Sequence, residues 1–180
     1  GALNAQKRAV DGALEHANTL AYRDPLTGLD NQRAMHEQFD HFVDLYAGQP
    51  LGLLLIDVDN FKRANTLYGH VGGDHSLRTI ARQLRRCGRD GHLIARIGGD
   101  EFAVLMPGVS GERVELMADF YRSAVIAADS EVDLDGVQLD ASVGSANYPA
   151  DGETLDDLLT VADRSMYEEK AQHTARHGSV

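Results

Sequence analysis

Apolar and polar positions along this chain switch between two periods. From Asn31 to Ala47, Met35, Phe39, Phe42, Val43 and Tyr46 recur at helical spacing and predict an amphipathic helix, ended by Gly48-Gln49-Pro50. Leu51 to Ile56 is apolar at every position but Gly52, the mark of a central strand buried on both faces. Phe61–Tyr68 predicts a short helix and Gly69–Gly73 a loop. Asp74 then caps a further helix that carries Leu77, Ile80, Ala81 and Leu84 on one side and runs to about Arg86. A turn at Gly88–Gly91 leads into two apolar runs, Leu93–Ala95 and Phe102–Met106, which read as the strands of a hairpin closed by Pro107-Gly108. Ser110 is the expected N-cap of a helix bearing Val114, Leu116, Met117, Phe120, Val125 and Ile126.

Residues 132–147 predict two strands about a turn at Asp135-Gly136. The second alternates, with Val137, Leu139, Ala141 and Val143 on one face and Gln138, Asp140 and Ser142 on the other, as a half-exposed strand would. Thr154 with Asp157 forms a capping-box pattern for a last helix carrying Leu155, Leu158, Leu159, Ala162, Met166 and Tyr167, expected to fray after Lys170. At the other end, Leu3, Val10 and Ala17 recur at seven within a helix over 2–23, which suits either the end of a parallel coiled coil or a surface helix. The whole reads as an N-terminal linker helix, 1–23, and one domain, 24–180. The domain is α/β (α+β), a palm-like core with a mainly antiparallel sheet flanked by helices.

Chemistry concentrates at two strand ends. The buried run ends in Asp57-Val58-Asp59, where Asp57 keeps the strand's direction and Asp59 is expected to cap the next helix. The hairpin turns through Gly98-Gly99-Asp100-Glu101. The two glycines permit positive φ and close approach, and the two carboxylates need water, a partner or a cation. Asp57, Asp100 and Glu101 are expected to meet at one edge of neighbouring strands. Carboxylates from two strands with a backbone carbonyl suit a hard, partly hydrated cation such as Mg²⁺. The first turn after Asn60 offers free amides for phosphate oxygens.

Arg96-Ile97-Gly98-Gly99-Asp100-Glu101-Phe102 carries the signature for which GGDEF domains are named. Supporting segments stand in family order: Asp24-Pro25-Leu26-Thr27-Gly28-Leu29-Asp30-Asn31, Asp57 to Lys62, Asn65 to Asp74 and, after the hairpin, Ala162-Asp163 with Met166-Tyr167 and Lys170. From about Asp24 to Lys170 the chain resembles a GGDEF-domain diguanylate cyclase. The resemblance implies a ferredoxin-like core, a GTP substrate, Mg²⁺ with Mn²⁺ as an alternative, a homodimer, an upstream sensor, and cyclic di-GMP, a bacterial second messenger, as product. By resemblance, Asp57, the Val58 carbonyl and Asp100 bind the metal. Glu101 beside them is a further metal ligand or the base for a ribose 3′-hydroxyl, and the resemblance leaves open whether Asp100 or Glu101 is that base. Lys62 and Lys170 contact phosphates, Asn60, Phe61 and Gly99 lie against substrate, and Asn65 and Asp74 read guanine. The alternative is a catalytically silent member that binds GTP or cyclic di-GMP and relays a signal.

Two departures from the family pattern stand out. Its usual Gly-Arg-Asn after Lys170 is replaced by His173-Thr174-Ala175, leaving open whether Arg176 substitutes. Its inhibitory Arg-x-x-Asp before the hairpin reads Arg89-Asp90-Gly91-His92, which predicts weak or absent product inhibition.

Charge and composition narrow the rest. The net charge is −11, from 17 basic and 28 acidic residues, which disfavours nucleic acid as partner. No apolar run approaches the ~20 residues of a membrane span, so no membrane contact is expected of this segment. Cys87 is the one cysteine, which excludes an internal disulfide and fits a reducing cytoplasm.

Overall fold

The computed structural model describes residues 21–177, with Asn4, Gln6 and Lys7 ahead of them, and side chains as far as Lys170. The heptad pattern of 2–23 and the Arg176 side chain lie outside the described residues.

Five strands form one sheet: β1 (Asp30–Asn31), β2 (Leu51–Asp59), β3 (Leu93–Arg96), β4 (Glu101–Pro107) and β5 (Asp140–Tyr148), in the order β1-β3-β4-β2-β5. Every pairing is antiparallel except β1 with β3. Among the described residues four helices cover it: α1 (Gln32–Leu45), α2 (Phe61–Cys87), α3 (Glu112–Val132) and α4 (Leu155–His177). The run β2-α2-β3-β4-α3-β5 is the βαββαβ pattern of a ferredoxin-like core, as expected.

The period of two along β2 divides the interior. Leu54, Ile56 and Val58 face the crossover helices α2 and α3, with Ile80, Leu84, Val114 and Tyr121. Leu51, Leu53 and Leu55 face α1 and α4, with Met35, Phe39, Leu158 and Met166. Asn31 caps α1 by accepting from the Ala34 amide at 3.0 Å. The Thr154–Asp157 capping box forms reciprocally: the Thr154 amide donates to Asp157 Oδ2 at 3.1 Å, and the Asp157 amide to Thr154 Oγ1 at 3.2 Å.

Several expectations are corrected. The loop at Gly69–Gly73 shrinks to a kink: the two expected helices form, but they meet at Gly69, which alone, at φ 67°, leaves helical geometry within 61–87. A side chain would strain that left-handed conformation. Asp74 therefore lies inside α2 and caps nothing; its carboxylate faces Arg78 at 4.0 Å, one turn on. Ser110 does not cap α3, whose N-cap is Gly111, held by its amide to Asn147 Oδ1 at 2.8 Å. Leu116, Phe120 and Ile126 point outward, while Tyr121 takes the core position.

The expected strand at 132–134 is absent because α3 continues to Val132. β5 is not half-exposed either: α4 packs on its second face and buries Ser142. The α4 backbone is helical through His177. Among the described residues, no helix is long and apolar enough to cross a membrane.

Candidate active site

The site forms where the sheet's apolar face runs out. Asp57 and Asp59 continue the face of Leu51, Leu53 and Leu55, and Glu101 continues that of Ala103 and Leu105. The ladder sets Asp57 opposite Glu101, and the Val58 amide donates to the Asp100 carbonyl at 3.1 Å. Asp57, Asp100 and Glu101 thus meet at one sheet edge, as the sequence predicted. The Val58 side chain is buried, so only its main chain is available there.

Asp59 departs from expectation. β2 continues through it, opposite Asp140, and it caps nothing. The Ser142 hydroxyl holds its carboxylate at 2.9 and 3.1 Å from the two oxygens. Strict alternation through Asp57-Val58-Asp59 would have placed it in the site. Ser142 carried no such signal, because its burial depends on α4.

The turn between β3 and β4 is fixed from outside. Arg96 donates to the Gly99 carbonyl from Nη2 at 2.7 Å and pairs through Nη1 with Asp24 Oδ1 at 3.0 Å. The Asp24-Pro-Leu-Thr segment serves this pair: the Thr27 hydroxyl and amide donate to Asp24 Oδ2 at 2.6 and 2.8 Å. Burial pushes the Asp24 carboxyl up, but the Thr27 hydrogen bonds and the Arg96 charge outweigh it and leave the carboxyl below its ordinary range.

Neither Gly98 nor Gly99 adopts positive φ. A Cβ at 98 would stand 2.3 Å from Glu101 Oε2, so a side chain there would displace the Glu101 carboxylate from its present place. A Cβ at Gly99 would meet nothing within 4 Å, so space above the turn is open.

Lys170 comes over the carboxylates from α4. Its Nζ lies 2.6 Å from Asp57 Oδ1 and 3.8 Å from Asp59 Oδ1. Burial alone would lower its pKa; the hydrogen bond and charge of Asp57, with Asp59 and Asp100, raise it instead. Burial, then the charge of Asp57, pushes Asp100 and Glu101 up; Glu101 is raised further by Asp100 and Asp163. Asp59 is also raised, by burial first. These groups repel one another when ionised, which is the electrostatic condition a bound cation relieves.

Among the described residues, no three His, Cys, Asp or Glu side chains converge at ligating distance. Asp57 and Asp100, with the Val58 carbonyl between them in sequence, are groups that could hold a metal there. That set fits a hard ion that keeps waters or takes phosphate oxygens for its remaining positions.

The remaining predicted residues line the first turns of α2. Asn60 adopts the left-handed conformation at φ 64°, gives α2 no side-chain cap and donates from Nδ2 to the Gln138 carbonyl at 2.8 Å. The first turn of α2 thus keeps amides without a side-chain partner. Phe61 packs on the core, which leaves its main chain for a ligand. A cavity of about 490 Å³ is lined by Asn60, Lys62, Arg63, Thr66 and Leu67. Lys62 is exposed at its edge. Asn65 turns its Oδ1 toward Gly73, where a Cβ would lie 2.0 Å away, so Asn65 and the Gly73-Asp74 turn are neighbours.

A larger cavity of about 690 Å³ contains Tyr22, Arg23, Asp30 and Glu37 and none of these groups; its Arg23 and Asp30 pair with each other at 2.9 Å.

The family model for "Diguanylate cyclase, GGDEF domain" matches residues 21–176. This chain belongs to the GGDEF family. It is 36% identical over 175 residues to the diguanylate cyclase DgcM of Escherichia coli (strain K12), covering 93% of this chain and 40% of that protein. It is 34% identical over 158 residues to the cyclic di-GMP phosphodiesterase PdeR of the same organism, covering 88% of this chain and 24% of that protein. Among solved structures, diguanylate cyclase SiaD of Pseudomonas aeruginosa, crystallised with its activator SiaC, superposes with TM-score 0.77 at 31% identity, over 94% of this chain and 65% of that one. The chain spans less than half the length of these two curated relatives.

The GGDEF signature thus names the β3–β4 turn. The other family segments name the Asp24 brace, the end of β2, the kink of α2 and the Lys170 turn of α4. Ahead of β3, His92 Nδ1 lies 2.9 Å from the Tyr121 hydroxyl, and burial followed by the Arg89 charge lowers its pKa.

Proposed function

We propose that this domain condenses two GTP molecules into cyclic di-GMP, releasing two pyrophosphates, in a Mg²⁺-dependent reaction at the interface of a homodimer. The observation that carries this reading is the pairing of Asp57 with Glu101 across β2 and β4, with Asp100 in the turn beside them.

Asp57, Asp100 and the Val58 carbonyl hold the metal, Mg²⁺ or Mn²⁺. When bound, it neutralises charge on the triphosphate and on the departing pyrophosphate. Asp100 or Glu101 accepts the proton of a ribose 3′-hydroxyl; the raised pKa of both suits a base. The freed 3′-oxygen bonds to the α-phosphorus of the facing GTP. The bond from that phosphorus to the bridging oxygen breaks, and pyrophosphate leaves. Two such events close the ring. Each half-site supplies one GTP, which is why two copies are needed.

Lys62 and Lys170 bind phosphates as mobile point charges. The amides after Asn60, with Phe61 among them, take phosphate oxygens. The open space over Gly99 admits ribose and phosphate, and Asn65 and Asp74 read the guanine edge. The relatives' greater length supports a larger protein in which an upstream sensor sets the activity.

The test is incubation with GTP and Mg²⁺ followed by chromatography of the products. Cyclic di-GMP and pyrophosphate in a ratio of one to two are expected. The second reading, a silent domain that binds GTP or cyclic di-GMP and relays a signal, draws on the altered sequence after Lys170. Saturable GTP binding without product would favour it.

A further inference from the structure

Lys170 sits where a cation is wanted. Its Nζ is 2.6 Å from Asp57 Oδ1 and 3.8 Å from Asp59 Oδ1, and the repelling charges of Asp100 and Glu101 lie beside the same group. The base of its side chain is anchored. The neighbouring Glu169 bonds Arg122 Nη1 at 2.7 Å and accepts the Val143 amide at 2.6 Å, while Arg122 Nε bonds Asp140 at 3.1 Å. This turn of α4 is therefore pinned to β5, and the ammonium reaches the carboxylates on a four-carbon stem with rotatable bonds.

We propose that Lys170 is a displaceable stand-in for the divalent cation: in the nucleotide-free protein its ammonium competes with the metal for Asp57. The inference rests on the metal reading given under Proposed function. Two cations drawn to one carboxylate repel each other, so a metal ion arriving alone must displace the ammonium. A triphosphate changes the balance. It offers the lysine a second anionic partner within reach of the same stem, and it brings oxygens that complete the metal's shell. Metal and nucleotide then bind cooperatively, and Lys170 is the element that couples them. This positioning role differs from a plain phosphate contact, which would leave the metal affinity of the nucleotide-free protein unchanged.

The experiment is an Mn²⁺ titration followed by electron paramagnetic resonance, without nucleotide and with a non-hydrolysable GTP analogue. The proteins are wild type, Lys170→Met, Lys170→Gln and Lys170→Arg. Lys170 is 37% exposed, so substitution is tolerated, and the paired neutral variants guard against a folding defect in either. Without nucleotide, both neutral variants should bind Mn²⁺ about 1.5- to 5-fold tighter than wild type, the range expected for a partly exposed ion pair. Lys170→Arg should bind like wild type. The analogue should tighten Mn²⁺ binding more in wild type than in the neutral variants. Equal or weaker Mn²⁺ binding by Lys170→Met and Lys170→Gln without nucleotide overturns the inference while leaving the metal site intact. Absence of Mn²⁺ binding in every protein, with and without the analogue, overturns the metal reading itself.

Discussion

Gly144→Ala is expected to unseat α4 from the sheet. Gly144 lies in β5 on the face turned toward α4, two residues beyond Ser142. A Cβ there would stand 1.8 Å from the Ala162 carbonyl oxygen and 2.7 Å from the Met166 amide nitrogen. Both are backbone atoms of a helix, so no rotamer change can relieve the contact. The oxygen would lie roughly 1.6 Å inside ordinary van der Waals distance, so the helix or the strand must move by about that much. Overpacking of this kind typically costs about 1–3 kcal/mol. The restricted unfolded chain of an alanine returns about 0.4–1 kcal/mol of that. A backbone clash this deep takes the upper end of that cost, about 3 kcal/mol, so the net loss is expected near 2 kcal/mol. For a domain of this size that lowers the melting temperature by about 4–8 °C.

The displacement falls on Ala162 and Met166, two turns and one turn before Lys170, so the 2.6 Å Lys170–Asp57 pair is lost with it and cyclase turnover should fall. Thermal unfolding followed by circular dichroism reads the first effect, and product chromatography the second. Gly99→Ala is the control for stability: nothing lies within 4 Å of its Cβ, and its melt should match wild type. A Gly144→Ala protein melting within about 2 °C of wild type would refute the close helix–strand contact on which the reasoning depends.

Asp100→Ala should lower cyclase turnover on the order of 100-fold or more, as loss of charge stabilisation at such sites does, and wild-type-like turnover would remove Asp100 from the site. The metal-free protein should at the same time melt higher at neutral pH, because Asp100 is held above its ordinary pKa by burial and by Asp57. For Asp59, Asp100 and Glu101 the folded pKa is the higher one, so their contribution is full below the ordinary values of 3.8 and 4.5 and is lost as pH rises through the raised ones. Mg²⁺ should accordingly raise the melting temperature more at pH 7.5 than at pH 4, and an equal shift at both would count against binding at these carboxylates. Asp74→Ser should relax the choice of GTP over ATP more than it lowers total turnover, since a carboxylate accepts from guanine N1–H and N2–H and faces a lone pair on adenine. Product composition from equal GTP and ATP decides it, and unchanged guanine-only output would place base recognition elsewhere.

What the sequence made legible was local. The leucine run of β2, the apolar flanks of the hairpin and the Thr154–Asp157 box each carry their signal within a few residues, and each formed as read. What it hid depends on partners distant in the chain. Ser142 reads as a solvent-facing polar residue until α4 is laid over β5; it then becomes a buried hydroxyl whose use is to hold Asp59. Asp59 itself reads as a cap because a strand is assumed to stop where polarity begins, whereas the ladder with β5 carries β2 past Asp57 to the pair Asp59–Asp140. Gly69 to Gly73 reads as a loop on glycine content, yet only Gly69 leaves helical geometry, so Asp74 became a helix-interior residue. β1 spans two residues and exists by parallel pairing with β3, which no window of sequence announces.

The position of the site comes from alternation in three adjacent strands. Asp57 and Asp59 share a face with Leu51, Leu53 and Leu55, Glu101 shares it with Ala103 and Leu105, and Ser142 and Gly144 share it with Ala146. Along that face the composition changes from apolar to acidic at one level of the sheet. α4 spans both levels: Leu155, Leu158, Ala162 and Met166 cover the apolar part, and one turn later Lys170 reaches the acidic part. A one-residue slip of β5 would turn Ser142 and Gly144 away from the helix and Val143 toward it, removing the hold on Asp59 and the close seat of α4 together. The helix–strand seam that closes the core is therefore also what sets the height of Lys170 above Asp57. Substitutions along it are expected to change metal affinity even where they touch no ligand.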